Sequence, residues 1–249
     1  MRNYDYQVDW EEFAEIDKKW SILTDPQKKY NKWRDKDFFQ TGDLEVGKLL
    51  ELIKSKNLGI KKERALDFGC GVGRTTQALA KYFNEAYGVD ISEKMILAAK
   101  DIHRKNKKLI FSQNRKNNLK CFNDNQFDLV FSVIVLQHIP SQEQIKKFLE
   151  EFIRVLNPRG ILYFQLPSIR NYNWLKEKLL KLRGFLYYFF TNRMGLSKFF
   201  CYQKLKLAPF MHMTHIDSNE IIKIFKENKM NFWIFNDKSR DTVYLTKKL

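Results

Sequence analysis

Cysteine and proline are scarce in this chain, three and five residues out of 249. Cys70, Cys121 and Cys201 are odd in number and scattered, with no C-x-x-C pair and no cysteine–histidine cluster. That pattern offers neither a disulfide frame nor a structural zinc site, and it points to a reducing compartment. Long apolar runs are missing too: no uncharged stretch approaches the roughly 20 residues that a spanning helix needs. The opening MRNYDYQVDWEEF is acidic and aromatic rather than basic and then apolar, so it does not read as a secretory signal, and a cytoplasmic protein is expected. Internal repeats and low-complexity linkers are also lacking, which leaves one α/β domain with extensions as the expected organisation.

Acid is in deficit. Asp and Glu number 29 against 45 Lys and Arg, a formal net charge of +16. The first reading is lysine spread over solvated faces, as in Lys54 to Arg64 and Arg104 to Lys120. The second is attraction to something anionic: nucleic acid, a phospholipid surface or a phosphorylated substrate. Glycine is sparse as well, ten residues, yet three of them crowd together at Gly69, Gly71 and Gly73.

Those three sit in RALDFGCGVGRTTQALA, Arg64 to Ala80. A short apolar run carrying one acid, Asp67, breaks at the glycines and resumes with apolar positions (Ala78, Leu79, Tyr82, Phe83) at helical spacing. This predicts a buried strand turning sharply into a helix, with glycines because the turn needs positive φ and close approach of a ligand to the backbone. The helix start would then offer unpaired N–H groups to an anionic group. The spacing G-x-G-x-G departs from the dinucleotide fingerprint, since Arg74 stands where its third glycine belongs, and Asp67 would repel a pyrophosphate but suit an ammonium group. DFGCGVG, followed by GVDIS, resembles the motifs of class I (Rossmann-like) S-adenosylmethionine-dependent methyltransferases.

Further along, EAYGVDIS reads as a second strand ending in Asp90, with Ser92 capping a helix from Glu93. Asp90 lies about 20 residues past the first glycine, where doubly wound folds place an acid that grips ribose hydroxyls. LIFSQ is a third strand and FDLVFSV, nearly all apolar, a central fourth strand buried on both faces. VLQHIP after it resembles the matching segment of small-molecule methyltransferases. Gln142 to Leu156 repeats at helical spacing, and ILYFQLPS forms a fifth strand. A final helix capped by Ser218 and the pair NFWIFND and DTVYLTKK follow.

The resemblance implies a doubly wound, seven-stranded, mostly parallel α/β sheet ending in an antiparallel hairpin. Residues 1–42, rich in aromatics from Tyr4 to Phe39, are read as a helical extension crossing the mouth of the domain at 43–249. Residues 171–209 are an insertion mixing aromatic and basic residues, read as a lid, with membrane-surface contact through 174–207 and plain packing as the other readings.

The same resemblance assigns S-adenosylmethionine as cofactor. Asp67 would hold its ammonium group, and Gly69, Cys70, Gly71 and Gly73 would pass beneath the sulfonium and carboxylate. Arg74 would add charge near that carboxylate or else face solvent. Asp90 would take the ribose, Ile91 and Val133 would line the nucleoside site, and Asn114 would meet adenine in place of the usual acid. His138, beyond the fourth strand, is the first candidate for general base, with His212 and His215 behind it. No His, Asp or Glu constellation calls for a metal. The expected activity is methyl transfer to oxygen, in second place nitrogen, of a small-molecule or glycan-type acceptor. An RNA-directed methyltransferase and a catalytically silent cofactor-binding scaffold are the alternatives, and a nicotinamide dehydrogenase stands behind them.

Overall fold

A computed structural model describes residues 6–169 and 174–249. Tyr4 and residues 171–173 of the insertion fall outside the described residues. Seven strands form one sheet in the order β3-β2-β1-β4-β5-β7-β6. They are β1 (Arg64–Phe68), β2 (Glu85–Asp90), β3 (Leu109–Gln113), β4 (Phe127–Ser132), β5 (Leu156–Gln165), β6 (Met230–Phe235) and β7 (Val243–Lys248). The first five run parallel, while β7 pairs antiparallel with both β5 and β6, so the hairpin finishes the sheet as expected.

Alternation along the strands divides the core between two faces. On one, Leu66, Val130, Leu162 and Phe164 pack with Phe148, Leu149 and Phe152 of α5 (Gln142–Val155) and Phe225 of α8 (Ser218–Glu227). On the other, Ala65, Phe131, Ile161 and Tyr163 pack with Val46, Leu49 and Ile53 of α2 (Asp35–Ser55) and Leu79 of α3 (Arg74–Leu79). Every residue of β4 is buried, as a central strand covered on both sides requires.

Several boundaries differ from the sequence reading. Helix α2 begins at Asp35, with Asp35 and Asp37 in its first turn, and runs unbroken through residue 42, where the extension was expected to give way to the domain. Helix α3 stops at Leu79, leaving Tyr82 exposed. The cap of α8 is Asp217, whose carboxylate accepts from the Asn219 N–H; Ser218 is already helical. Ser92 does cap α4 (Glu93–Ile102), its hydroxyl accepting from the Met95 N–H.

Above the sheet lies α1 (Tyr6–Ile22), interrupted at buried Asp17, and beyond it α6 (Trp174–Tyr188) and α7 (Lys198–Gln203) of the insertion. Side chains of α1 fasten the three together. Asp9, Glu12 and Asp17 accept hydrogen bonds from the hydroxyls of Tyr188, Tyr187 and Tyr202, and Lys198 bridges Glu12 and Glu15. Among the described residues, no helix is long and apolar enough to cross a membrane.

Candidate functional site

The strand order reverses between β1 and β4, and a cavity opens beyond the carboxyl ends of the strands on either side of that point. Open α/β sheets bind ligands there, because successive loops diverge and leave a crevice. The cavity holds about 800 Å³ of free space, its open mouth included, within the range that small-molecule sites occupy. Gly69 and Gly71 line it from the β1 loop, Asp90 and Ile91 from β2, Asn114 from β3, and Val133, Ile134, Val135 and His138 from the segment after β4.

The β1 corner depends on its glycines. Gly69 (φ +78°) and Gly71 (φ +53°) occupy the left-handed region, where a side chain is strained. A Cβ on Gly69 would lie 2.4 Å from both γ-carbons of Val135, and one on Gly71 would lie 2.4 Å from Cδ1 of Ile22. The Gly69 and Cys70 N–H groups donate to the Val89 carbonyl, which ties the corner to β2. Asp90 completes the tie: Oδ2 accepts from the Gly71 N–H at 2.8 Å and Oδ1 from the Ser92 N–H at 2.9 Å. Burial raises the Asp90 carboxyl to about 6, against the lowering effect of those two donors.

The other residues predicted for the site separate into two groups. Gly69, Gly71, Asp90, Ile91, Asn114, Val133 and His138 come together on the cavity wall, whereas Asp67, Cys70, Gly73 and Arg74 lie behind it. Asp67 is buried, and its Oδ2 accepts from the hydroxyls of Thr75 and Thr76, so this acid pins the start of α3 to β1. Burial raises its pKa. Arg74 neither adds charge to the cavity nor faces solvent. It is buried beneath α2, where Nη1 donates to the Thr41 hydroxyl, and desolvation lowers its pKa. Cys70 is buried as well, and burial pushes its thiol well above the usual range. The Asn114 side chain is committed to its own loop, accepting from the Lys116 N–H and donating to the Asn118 carbonyl.

His138 ends a short 3₁₀ turn, Leu136–His138, and is buried. Its Nδ1 lies 2.7 Å from the carbonyl oxygen of His212, and because a carbonyl only accepts, Nδ1 carries the proton and Nε2 the lone pair. Gln137 Nε2 approaches that lone pair at 3.3 Å. Burial lowers the imidazole to about 4, so the ring is neutral across the physiological range. His212 and His215 contribute backbone carbonyls, to His138 and to Gln142 Nε2.

Sequence reading expected a helical extension across the mouth but named none of its residues that line the cavity, nor one strained wall residue. Tyr6, Trp10, Ser21 and Ile22 of α1 line it, and the Trp10 ring meets His138 edge-on at 5.3 Å. Glu11, on the same helix, accepts from the Ser92 hydroxyl and the Glu93 and Lys94 N–H groups at the start of α4. Ile134, a β-branched residue at φ +60°, is strained where it turns out of β4 into the cavity. The density of aromatics before residue 42 was the only sign of the roof in the sequence.

A family model described as a methyltransferase domain matches residues 66–164, which hold the glycine corner, Asp90 and His138. Over those residues the chain is similar to a methyltransferase domain. A putative methyltransferase, YqeM of Bacillus subtilis, is 31% identical over 109 residues, 43% of this chain and 44% of that protein. A ubiquinone biosynthesis O-methyltransferase of Actinobacillus pleuropneumoniae is 25% identical over 208 residues, 80% of this chain and 85% of that one. The match spans less than half the length of the curated relatives that are 30% or more identical. Among solved structures, the magnesium protoporphyrin IX methyltransferase of Synechocystis with bound SAH superposes with a TM-score of 0.57 at 18% identity, covering 98% of this chain and 100% of that one. That likeness extends the methyltransferase fold to the roof and the hairpin beyond residues 66–164.

Proposed function

We propose that this chain is a methyltransferase that takes its methyl group from S-adenosylmethionine and passes it to a hydroxyl oxygen, or in second place an amine nitrogen, of a small-molecule acceptor. The observation that carries this reading is the corner itself. Two left-handed glycines bare the backbone at the cavity floor, and Asp90 sits beside them on the next strand. A bulkier loop would fill the cradle, and an apolar residue at 90 would leave the Gly71 and Ser92 N–H groups without their acceptor. The relatives named O-methyltransferases favour oxygen over nitrogen.

The residues present fit such a cofactor. Asp90 would hold the ribose hydroxyls, Ile91 and Val133 the faces of the base, and the Gly69–Gly71 backbone the amino-acid end. When bound, the sulfonium supplies an already activated methyl group. The protein's task is therefore alignment and exclusion of water, which can lower a barrier by about 7 to 11 kcal/mol. The β1 corner and the segment after β4 set the floor, and Trp10 and Tyr6 close the roof. His138 is held neutral with Nδ1–H anchored, so Nε2 would accept a hydrogen bond from an approaching hydroxyl, and orient its oxygen, once that hydroxyl takes the place of the Gln137 amide that meets Nε2 at 3.3 Å. At about 4 its basicity suits orienting that hydroxyl better than carrying the proton away.

The test is calorimetry with S-adenosylmethionine on the parent and Asp90→Ala, followed by transfer of labelled methyl to a pool of phenols, sugars and amines. Affinity is expected to fall at least tenfold in the variant, and label to appear on a hydroxyl compound. Unchanged affinity refutes the site. Tight binding with no transfer to any acceptor would make the chain a scaffold.

A further inference from the structure

The insertion carries an apolar surface left exposed among the described residues. Helix α6 is apolar on two sides. Its inner side seats Gly184 and fully buried Tyr187 against Phe210, Cys201 and Leu207. Its outer side presents Leu179, Leu182 and Phe185, continuing into Phe189, spaced so that all four fall on one face; they are 58%, 51%, 65% and 43% exposed. The Phe185 and Phe189 rings stack on each other in the open, centroids 6.4 Å apart. Beyond them Met194, Phe199 and Phe200 are exposed too. An amphipathic helix of a globular protein normally turns a charged face outward, so a two-sided apolar helix implies a second apolar phase on its outer side.

Charge identifies that phase. Residues 174–207 contain eight Lys and Arg against the single acid Glu177, so nearly half of the net charge of +16 falls on this short segment. Arg193 and Lys204 are exposed in the same segment, close in sequence to Phe189 and Phe200. A second copy of the chain would bring like charges together and be repelled. Nucleic acid would match the charge but leave leucine and stacked phenylalanine side chains in water. An anionic bilayer satisfies both, with rings and leucines entering the headgroup region and the basic rim meeting phosphates.

We propose that the α6 face and the loop after it are a docking surface for anionic lipid membranes. Because α1 is held to this insertion by three tyrosine hydroxyls and also roofs the cavity, docking would set the mouth of the site near the lipid headgroups.

The full chain should be sedimented with vesicles of phosphatidylcholine alone and of equal parts phosphatidylcholine and phosphatidylglycerol, without cofactor or acceptor, so that the result stands apart from the methyltransferase reading. Pelleting is expected with the anionic vesicles only and should weaken as salt rises. Leu182→Glu with Phe185→Glu should abolish it without lowering the melting temperature. Should that pair unfold the insertion, Arg193→Gln and Lys204→Gln, both at exposed positions, serve instead, each weakening binding about fivefold. Equal behaviour with both vesicle types, or anionic binding untouched by these variants, overturns the proposal. So does a concentration-dependent dimer that the Glu pair dissolves in the absence of vesicle binding.

Discussion

The glycine corner and the roof meet at one cavity but are held by different means. In the corner, the fastenings are short in sequence: the backbone N–H groups of Gly71 and Ser92 donate to Asp90, and the hydroxyls of Thr75 and Thr76 to Asp67. In the roof, they join side chains far apart along the chain, Asp9 to Tyr188, Glu12 to Tyr187 and Asp17 to Tyr202. The corner is thus built into the sheet and shares its stability. The roof is an added layer that buries Asp9 and Asp17 with incomplete partners: among the described residues, Oδ2 of Asp9 and Oδ1 of Asp17 have no hydrogen bond. Unsatisfied buried carboxylates cost stability, so the roof is expected to open without the sheet unfolding.

The largest effect should come from disturbing the corner. Gly69→Ala places a methyl against Val135 at a left-handed backbone and is expected to cost roughly 2 to 5 kcal/mol of folding free energy. Urea denaturation read by far-ultraviolet circular dichroism measures it. A cost below about 1 kcal/mol would mean that the corner yields as readily as the roof, and the contrast between the two would be lost.

Next in size is Asp9 in the roof. Burial raises its carboxyl to about 7 from 3.8, against the hydrogen bond from Tyr188. With the folded value above the unfolded one, the folded chain holds the extra proton between about pH 4 and pH 7, and stability falls as pH rises through that window. Asp9→Asn keeps the shape and removes the titration. It should stabilise the protein at pH 8 by on the order of 2 kcal/mol, with no gain at pH 4. Melting curves at both pH values decide it, and an equal gain at each would place the cost of Asp9 in packing rather than in charge.

The same contrast explains what could be read from the amino acids alone. The glycine turn, the place of Asp90 at the end of β2 and the Ser92 cap were legible because each depends on residues near one another in sequence, where spacing carries the geometry; the architecture of the sheet followed only from the family resemblance. Arg74 was misjudged because its surroundings come from α2, which packs over the start of α3 and buries a guanidinium that the local pattern leaves open. Cys70 likewise sits inside the glycine segment yet behind the cavity. The roof was expected as a helical extension from its aromatic density, but its fastenings were not, since nothing in the spacing of Asp9, Glu12 and Asp17 names tyrosines at 188, 187 and 202 as partners.

The finest test uses the cysteines already in place. Cys70 lies buried in the corner, Cys201 lies buried where the insertion meets α1, and Cys121 is exposed. Under native conditions a thiol reagent should modify Cys121 at once, Cys201 slowly and Cys70 last, because Cys201 needs only the roof to lift while Cys70 needs the sheet to part. The ratio of the two slow rates measures the difference in opening free energy, tenfold for each 1.4 kcal/mol. Tyr202→Phe, which withdraws one hydroxyl from Asp17, should speed Cys201 by about fivefold and leave Cys70 unchanged. If both thiols accelerate together, corner and roof open as one unit and the roof is part of the core.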